Sequence, residues 1–181
     1  MKIEFPYNYL QACLPHASKQ DVRFYLCGIY IGDGFMAATN GHAAIVIQDD
    51  VFNGCDYIVP REVVDFFTKK LGQKPIQKTV TLTIGDDGYN TLESMGVFEY
   101  FRFTDGKFPD IKRINISKPE NPVAAKFYFN PKYLSDFQKS AKFLTGHRDS
   151  VPCVITTGEN TMAYIDLHAQ NAHGLLMPLR V

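Results

Sequence analysis

Ile3-Glu4-Phe5-Pro6, Tyr57-Ile58-Val59-Pro60 and Tyr128-Phe129-Asn130-Pro131 share one design: a short apolar run, a proline, then apolar side chains at helical spacing. Three and six residues beyond the proline stand Tyr9 and Ala12, Val63 and Phe66, and Leu134 and Phe137. Proline suits the first turn of a helix, where its missing N–H would have no partner anyway, and a three-residue spacing stacks side chains on one face. Each stretch therefore predicts a strand running into a helix. The helices are expected over 8–14, 61–71 and 132–144, stopped by Pro15, Gly72 and Gly146.

Behind each helix lie β-rich runs: 22–31, 35–38 and 44–48; then 79–84, 89–95 and 97–103; then 153–157, 161–167 and 174–180. Thr79-Val80-Thr81-Leu82-Thr83-Ile84 alternates strictly, which places its aliphatic residues on one face and its threonines on the other. Gly32-Asp33-Gly34, Gly85-Asp86-Asp87-Gly88 and Gly158-Glu159-Asn160 read as hairpin turns, because glycine and asparagine accept the positive φ of tight reversals. The chain is thus an α+β protein of three β-α-β-β-β units. Pro119 and Pro122, among polar residues 115–125, mark a linker with a boundary near Asn121. Two domains are expected, 1–120 with two units and 121–181 with one.

With 45% hydrophobic and 13% aromatic residues in 181, the chain has ample material for a core. Nineteen basic residues balance nineteen acidic ones, which excludes a protein that grips nucleic acid by bulk cationic attraction. The cysteines Cys13, Cys27, Cys55 and Cys153 stand singly, without CxxC pairs, and read as reduced thiols rather than zinc ligands or a disulfide framework. Met1–Gln11 carries a proline and polar residues where a signal peptide would be apolar, and no run of about 18 apolar residues occurs. A cytoplasmic protein with no membrane partner is expected.

No catalytic constellation is present in the sequence. His16, His42, His147, His168 and His173 show no metal-ligand spacing, and no serine sits in a GxSxG elbow. The reading is of no enzyme, no metal and no cofactor. His42 stands apart, since Ala38-Thr39-Asn40-Gly41-His42 links two strands with compact and polar residues, as binding loops do. Lys69, Lys70 and Lys74 crowd the end of the second helix, and Lys139, Lys142, His147 and Arg148 lie along and after the third. Cations there complement the helix dipole in any protein. Were both helices on one side of the molecule, Lys69, Lys70, Lys74, Lys139, Lys142 and Arg148 would face one phosphate backbone.

Five motifs in order resemble the bacterial sliding clamp, the β subunit of DNA polymerase III. They are Asp21-Val22-Arg23-Phe24-Tyr25-Leu26-Cys27-Gly28, Ala38-Thr39-Asn40-Gly41-His42, Ile58-Val59-Pro60-Arg61, Asp105-Gly106-Lys107-Phe108-Pro109-Asp110-Ile111-Lys112-Arg113-Ile114 and Met177-Pro178-Leu179-Arg180-Val181. The resemblance implies a DNA-clamp fold in which two β-α-β-β-β halves make one domain and six domains encircle duplex DNA, helices inward. Units one and two would be a complete middle domain and unit three the second half of the last. It also implies a hydrophobic groove that captures short linear motifs of polymerases and clamp-loader subunits. The matching positions are Arg23, Leu26, Thr39, Gly41 and His42; then Pro109, Arg113 and Ile114; then Leu176, Met177, Pro178, Leu179 and Arg180.

Departures from the family matter equally. Ala43 and Ala44 follow His42 where the family carries bulkier residues, which implies a wider pocket floor. Three halves do not make the usual dimeric ring: a homo-oligomer of four chains would supply twelve, or unit three would pair with its copy across a two-fold axis. The expected function is a clamp-like processivity factor enclosing double-stranded DNA. The alternative is a clamp mimic that binds the same partners without encircling DNA.

Overall fold

The computed structural model describes residues 1–72, 78–123, 127–158 and 160–179. Lys74 and Arg180 lie outside the described residues. Unit one comprises β1 (Lys2–Pro6), α1 (Tyr7–Cys13), β2 (Gly28–Gly32), β3 (Phe35–Thr39) and β4 (Ala43–Gln48). Unit two comprises β5 (Asp56–Pro60), α2 (Arg61–Leu71), β6 (Thr79–Ile84), β7 (Asn90–Ser94) and β8 (Val97–Phe101). After one turn of helix, α3 (Ile111–Ile114), unit three adds α4 (Pro131–Thr145), β9 (Cys153–Ile155), β10 (Ala163–Ala169) and β11 (Ala172–Leu176).

The strands form two antiparallel sheets, one in the order β1-β6-β7-β8 and one of seven strands in the order β5-β2-β3-β4-β11-β10-β9. Units one and two exchange their opening strands: Ile3 of β1 lies opposite Leu82 of β6, and Val59 of β5 opposite Ile29 of β2. Unit three joins unit one edge to edge, with Leu176 of β11 opposite Ala43 of β4. Alternation along the seven-stranded sheet sends Ile29, Ile31, Met36, Ile45 and Ile47 into the main core with Phe67 and Phe137. Tyr30, Phe35, Ala37, Val46 and Ile58 face the other way, where Phe108 and Ile111 cover them. The central strands are therefore apolar on both faces, which is why they read as continuous hydrophobic runs.

The contact between units one and three is built in depth. Ser140 Oγ donates to the Ala12 carbonyl at 2.7 Å, so that oxygen accepts from His16 Nε2 at 3.0 Å. The His16 ring packs on Phe137, centroids 4.4 Å apart, and burial together with nearby Lys139 pushes its pKa down to about 3. Gly174 of β11 lies directly against the Phe137 ring, where a Cβ would overlap it.

Three expectations are corrected. The run 22–31 is strand only from Gly28; Asp21 accepts the Arg23 amide at 2.8 Å and Leu26 accepts the Ser18 amide at 2.9 Å, folding Phe24–Leu26 into a 3-10 turn. Residues 127–130, ahead of the third helix, lie in no strand. The helical phase also differs. Pro6 and Pro60 are the caps of α1 and α2, whereas Asn130 caps α4 with its side chain and Pro131 is the first helical residue. Counted from the caps, the inward residues stand four and seven positions on: Leu10 and Cys13, Val64 and Phe67, Leu134 and Phe137. Phe66 accordingly points outward and is 62% exposed. A further reversal, unread in the sequence, joins β7 to β8 through Met95 and Gly96, with φ of 48° and 78°.

Candidate functional site

The tail after β11 continues the pairing begun at Leu176. The Met177 amide donates to the His42 carbonyl at 2.9 Å, and the Leu179 amide to the Tyr128 carbonyl at 2.7 Å. The loop it meets is held by its own side chains. Thr39 Oγ1 accepts from the Gly41 amide and donates to the Ala43 carbonyl, while Asn40 Oδ1 accepts from the amides of His42 and Ala43. Gly41, at φ 86°, has the left-handed backbone that favours glycine, and Arg23 lies over it, so a Cβ there would come 3.0 Å from the guanidinium. Asp21 fixes Arg23 through two parallel bonds of 3.0 Å, which lowers the carboxyl pKa. His42 stacks on Tyr133 of α4 at 6.0 Å, tying the loop to unit three.

The segment around α3 closes the same neighbourhood from the outer face. Ile111 packs over Val46, and Asn115 Oδ1 accepts from His173 Nε2 at 2.5 Å, one strand across from Val46. Burial lowers the His173 pKa, so its ring favours the neutral state, and it stacks on Tyr164. Alternation puts His173 and Leu175 on this outer face, in register with Val46 and Ala44. Ile114, Met177 and Leu179 are 40%, 45% and 50% exposed. Met177 and Leu179 thus present apolar side chains to solvent beside the seam between β4 and β11.

Not every residue expected in the groove has a side chain available there. Leu176 faces the main core and is fully buried; Leu175, two residues ahead of Met177, takes the outward position. Leu26 and Thr39 are buried, and Thr39 serves the loop. Pro109 is half-buried, and Arg113 is exposed and paired with Asp110 at 3.1 Å. Pro178 is half-buried between the two tail residues.

On the helix side, Lys69 of α2 and Lys139 of α4 line one cleft of about 570 Å³ with Gln11, Leu14 and Phe143. The two helices therefore offer lysines to the same side of the molecule. Each lysine is matched within its helix, Lys69 by Asp65 at 2.6 Å and Lys139 by Asp136 at 2.8 Å. Lys70 reaches Glu99 of β8 instead at 2.5 Å, Lys142 is half-exposed on the last turn of α4, and Arg148 is exposed beyond it. A neighbouring cleft of about 730 Å³ runs from these helices to the loop, lined by Lys19, Arg23, Arg61, Lys132 and Lys139 against Asp21 and Asp136. Lys19, Arg61 and Lys132 carry no clustered signal in the sequence, since the fold alone gathers them from three segments. Burial lowers the Arg61 pKa, and its Nε has no hydrogen-bond partner.

No protein-family model matches the chain, and no curated protein matches it in sequence. Solved structures do match. The chain is similar to the sliding clamp of Bartonella birtlesii bound to griselimycin, with a TM-score of 0.74 and 18% identity over 99% of this chain and 66% of that one. The DNA polymerase III β subunit of Borrelia burgdorferi, in complex with a natural product, aligns with a TM-score of 0.71 and 14% identity over 100% of this chain and 64% of that one. The sliding clamp of Bacillus subtilis gives 0.68 and 13%, with coverage of 100% and 64%. Over a length that spans about two thirds of those clamp chains, this protein has the fold of a bacterial sliding clamp.

Proposed function

We propose that this chain is a clamp-like processivity factor whose slot captures short apolar motifs carried by DNA polymerases and clamp-loader subunits. The reading rests on one observation above all: the bond from the Met177 amide to the His42 carbonyl, which fixes the tail beside the 39–42 loop. Leucine and phenylalanine anchors of an incoming peptide would be buried against Met177, Leu179 and Ile114, at ~1.5–3 kcal/mol for each side chain fully covered. Arg23 and Arg113 at the rim suit its carbonyls and acidic residues. Residues 1–120 act as a complete clamp domain and 121–181 as a half, and the chain performs no catalysis. Double-stranded DNA is held by enclosure within a homo-oligomer, along the face lined by Lys69 and Lys139, which needs little net charge.

A fluorescent peptide carrying glutamine followed by leucine and phenylalanine tests the slot. Met177→Ala with Leu179→Ala is expected to weaken it by roughly tenfold or more, two anchor contacts at ~1–2 kcal/mol each being lost. An unchanged affinity in the folded double variant contradicts the proposal. The second reading, a mimic that occupies clamp partners without enclosing DNA, is favoured by the pairing of Lys69, Lys70 and Lys139 with their own acids. Replacing those lysines should lower polymerase processivity if DNA is enclosed, and leave it unaltered in a mimic.

A further inference from the structure

Unit three has no counterpart half among the described residues. In units one and two the strand ahead of each helix leaves its unit and pairs with the first sheet strand behind the other unit's helix, β1 with β6 and β5 with β2. The exchange is reciprocal, so an approximate two-fold axis relates the two units. It also closes their cores: Phe5 and Val59, each one residue before its helix cap, are 2% and 0% exposed, and the receiving Val80 and Leu82 are both 0% exposed.

Both parts of such an exchange are present in unit three and lie outside any sheet pairing of that kind, with the Tyr128 carbonyl accepting from the Leu179 amide at 2.7 Å and Thr156, just beyond β9, bonded to Val123. Among the described residues, 127–130 belongs to no sheet and β9 has β10 as its one neighbour. Phe129 and Phe127 hold the positions of Phe5 and Ile3 relative to the helix cap, yet they are only half-buried and stack on each other at 5.9 Å. Val154 lies opposite the fully buried Ile165, on the core side of β9, but remains 37% exposed. Beside these, Tyr128 and Val151 are 55% and 63% exposed.

We propose that a second copy of this chain completes unit three: across a two-fold axis, the 127–130 segment of each copy adds antiparallel to β9 of the other, as β1 adds to β6. Donor strand and acceptor edge belong to the same unit, so one symmetry operation occupies both at once. A different partner would have to bring an apolar strand and a free edge together. Neither Phe127-Tyr128-Phe129-Asn130 nor Cys153-Val154-Ile155 carries a charge, so bringing two identical surfaces together creates no like-charge contact. The added strand removes the open edge and covers Val154, the two features that otherwise favour uncontrolled association. The acceptor edge β9 is separated from the seam between β4 and β11 by β10, while the donor segment meets the tail through the bond from the Leu179 amide to the Tyr128 carbonyl.

Sedimentation and amide hydrogen exchange of the full chain over a concentration series test it. The chain is expected to associate in multiples of two, with the amides of 128–130 and 153–155 exchanging roughly tenfold or more slowly once associated. Val154→Asp should sediment as a single chain with an unchanged circular dichroism spectrum and intact peptide binding. A single-chain mass at every concentration overturns the proposal. So does an association whose protection falls on 97–101 while 153–155 stays open, or one that survives in Val154→Asp. Should that variant lose its fold, the wild-type exchange map decides by itself.

Discussion

The two flanks of unit three differ sharply. Toward unit one it is welded: β11 pairs with β4, Ser140 bonds to α1, and Phe137 is closed in between His16 and Gly174. Toward the other side the same unit ends in β9, whose one sheet neighbour among the described residues is β10. The locked flank is the one beside which Met177 and Leu179 are exposed. Only the open flank carries exposed apolar residues at positions that are buried in units one and two.

The sharpest way to break this contrast is Phe137→Ala. Removing a fully buried ring from the welded flank should cost ~3–5 kcal/mol in urea unfolding and weaken the peptide with it, because the tail loses its support. Acidification acts on the same flank. The unfolded chain takes a proton at His16 below about 6.5, whereas the folded chain refuses it until about 3. Stability is therefore complete above pH 6.5 and falls as pH drops through that window, by at most ~1.4 kcal/mol per pH unit from this group. Burial lowers His173 in the same direction. Chemical unfolding at pH 7 and pH 5 measures the loss, and His16→Phe should flatten it. Gly174→Ala, which drives a methyl into the Phe137 ring, should cost ~1–3 kcal/mol. Val154→Ala on the open flank, measured on the dissociated chain, should cost less than ~0.5 kcal/mol. An equal cost at Val154 and Phe137 would erase the difference between the flanks.

Much of this was legible in the residues. The strand-proline-helix stretches located all three long helices, and strict alternation located β6, because both signals are local. What sequence could not supply was pairing. Phe129 reads like Phe5, but a strand exists only where a neighbour accepts it, and among the described residues no strand pairs with 127–130. Asp21 turned an apolar run into a 3-10 turn through one side-chain acceptor, which hydrophobicity does not register. Leu176 and Leu175 differ only in parity, and the register with Ala43 and Ala44 decides which of them faces the core. Met177, Leu179 and the 39–42 loop were named from short motifs, whereas Lys19, Arg61 and Lys132 meet only through tertiary structure.

Amide chemical shifts recorded while a clamp-motif peptide is titrated into the chain test the slot most directly. The account predicts saturable shifts concentrated at 39–42, around Ile114 and at 177–179, with the helix face and β8 unmoved. Shifts confined to any other surface, or none at millimolar peptide, would contradict it.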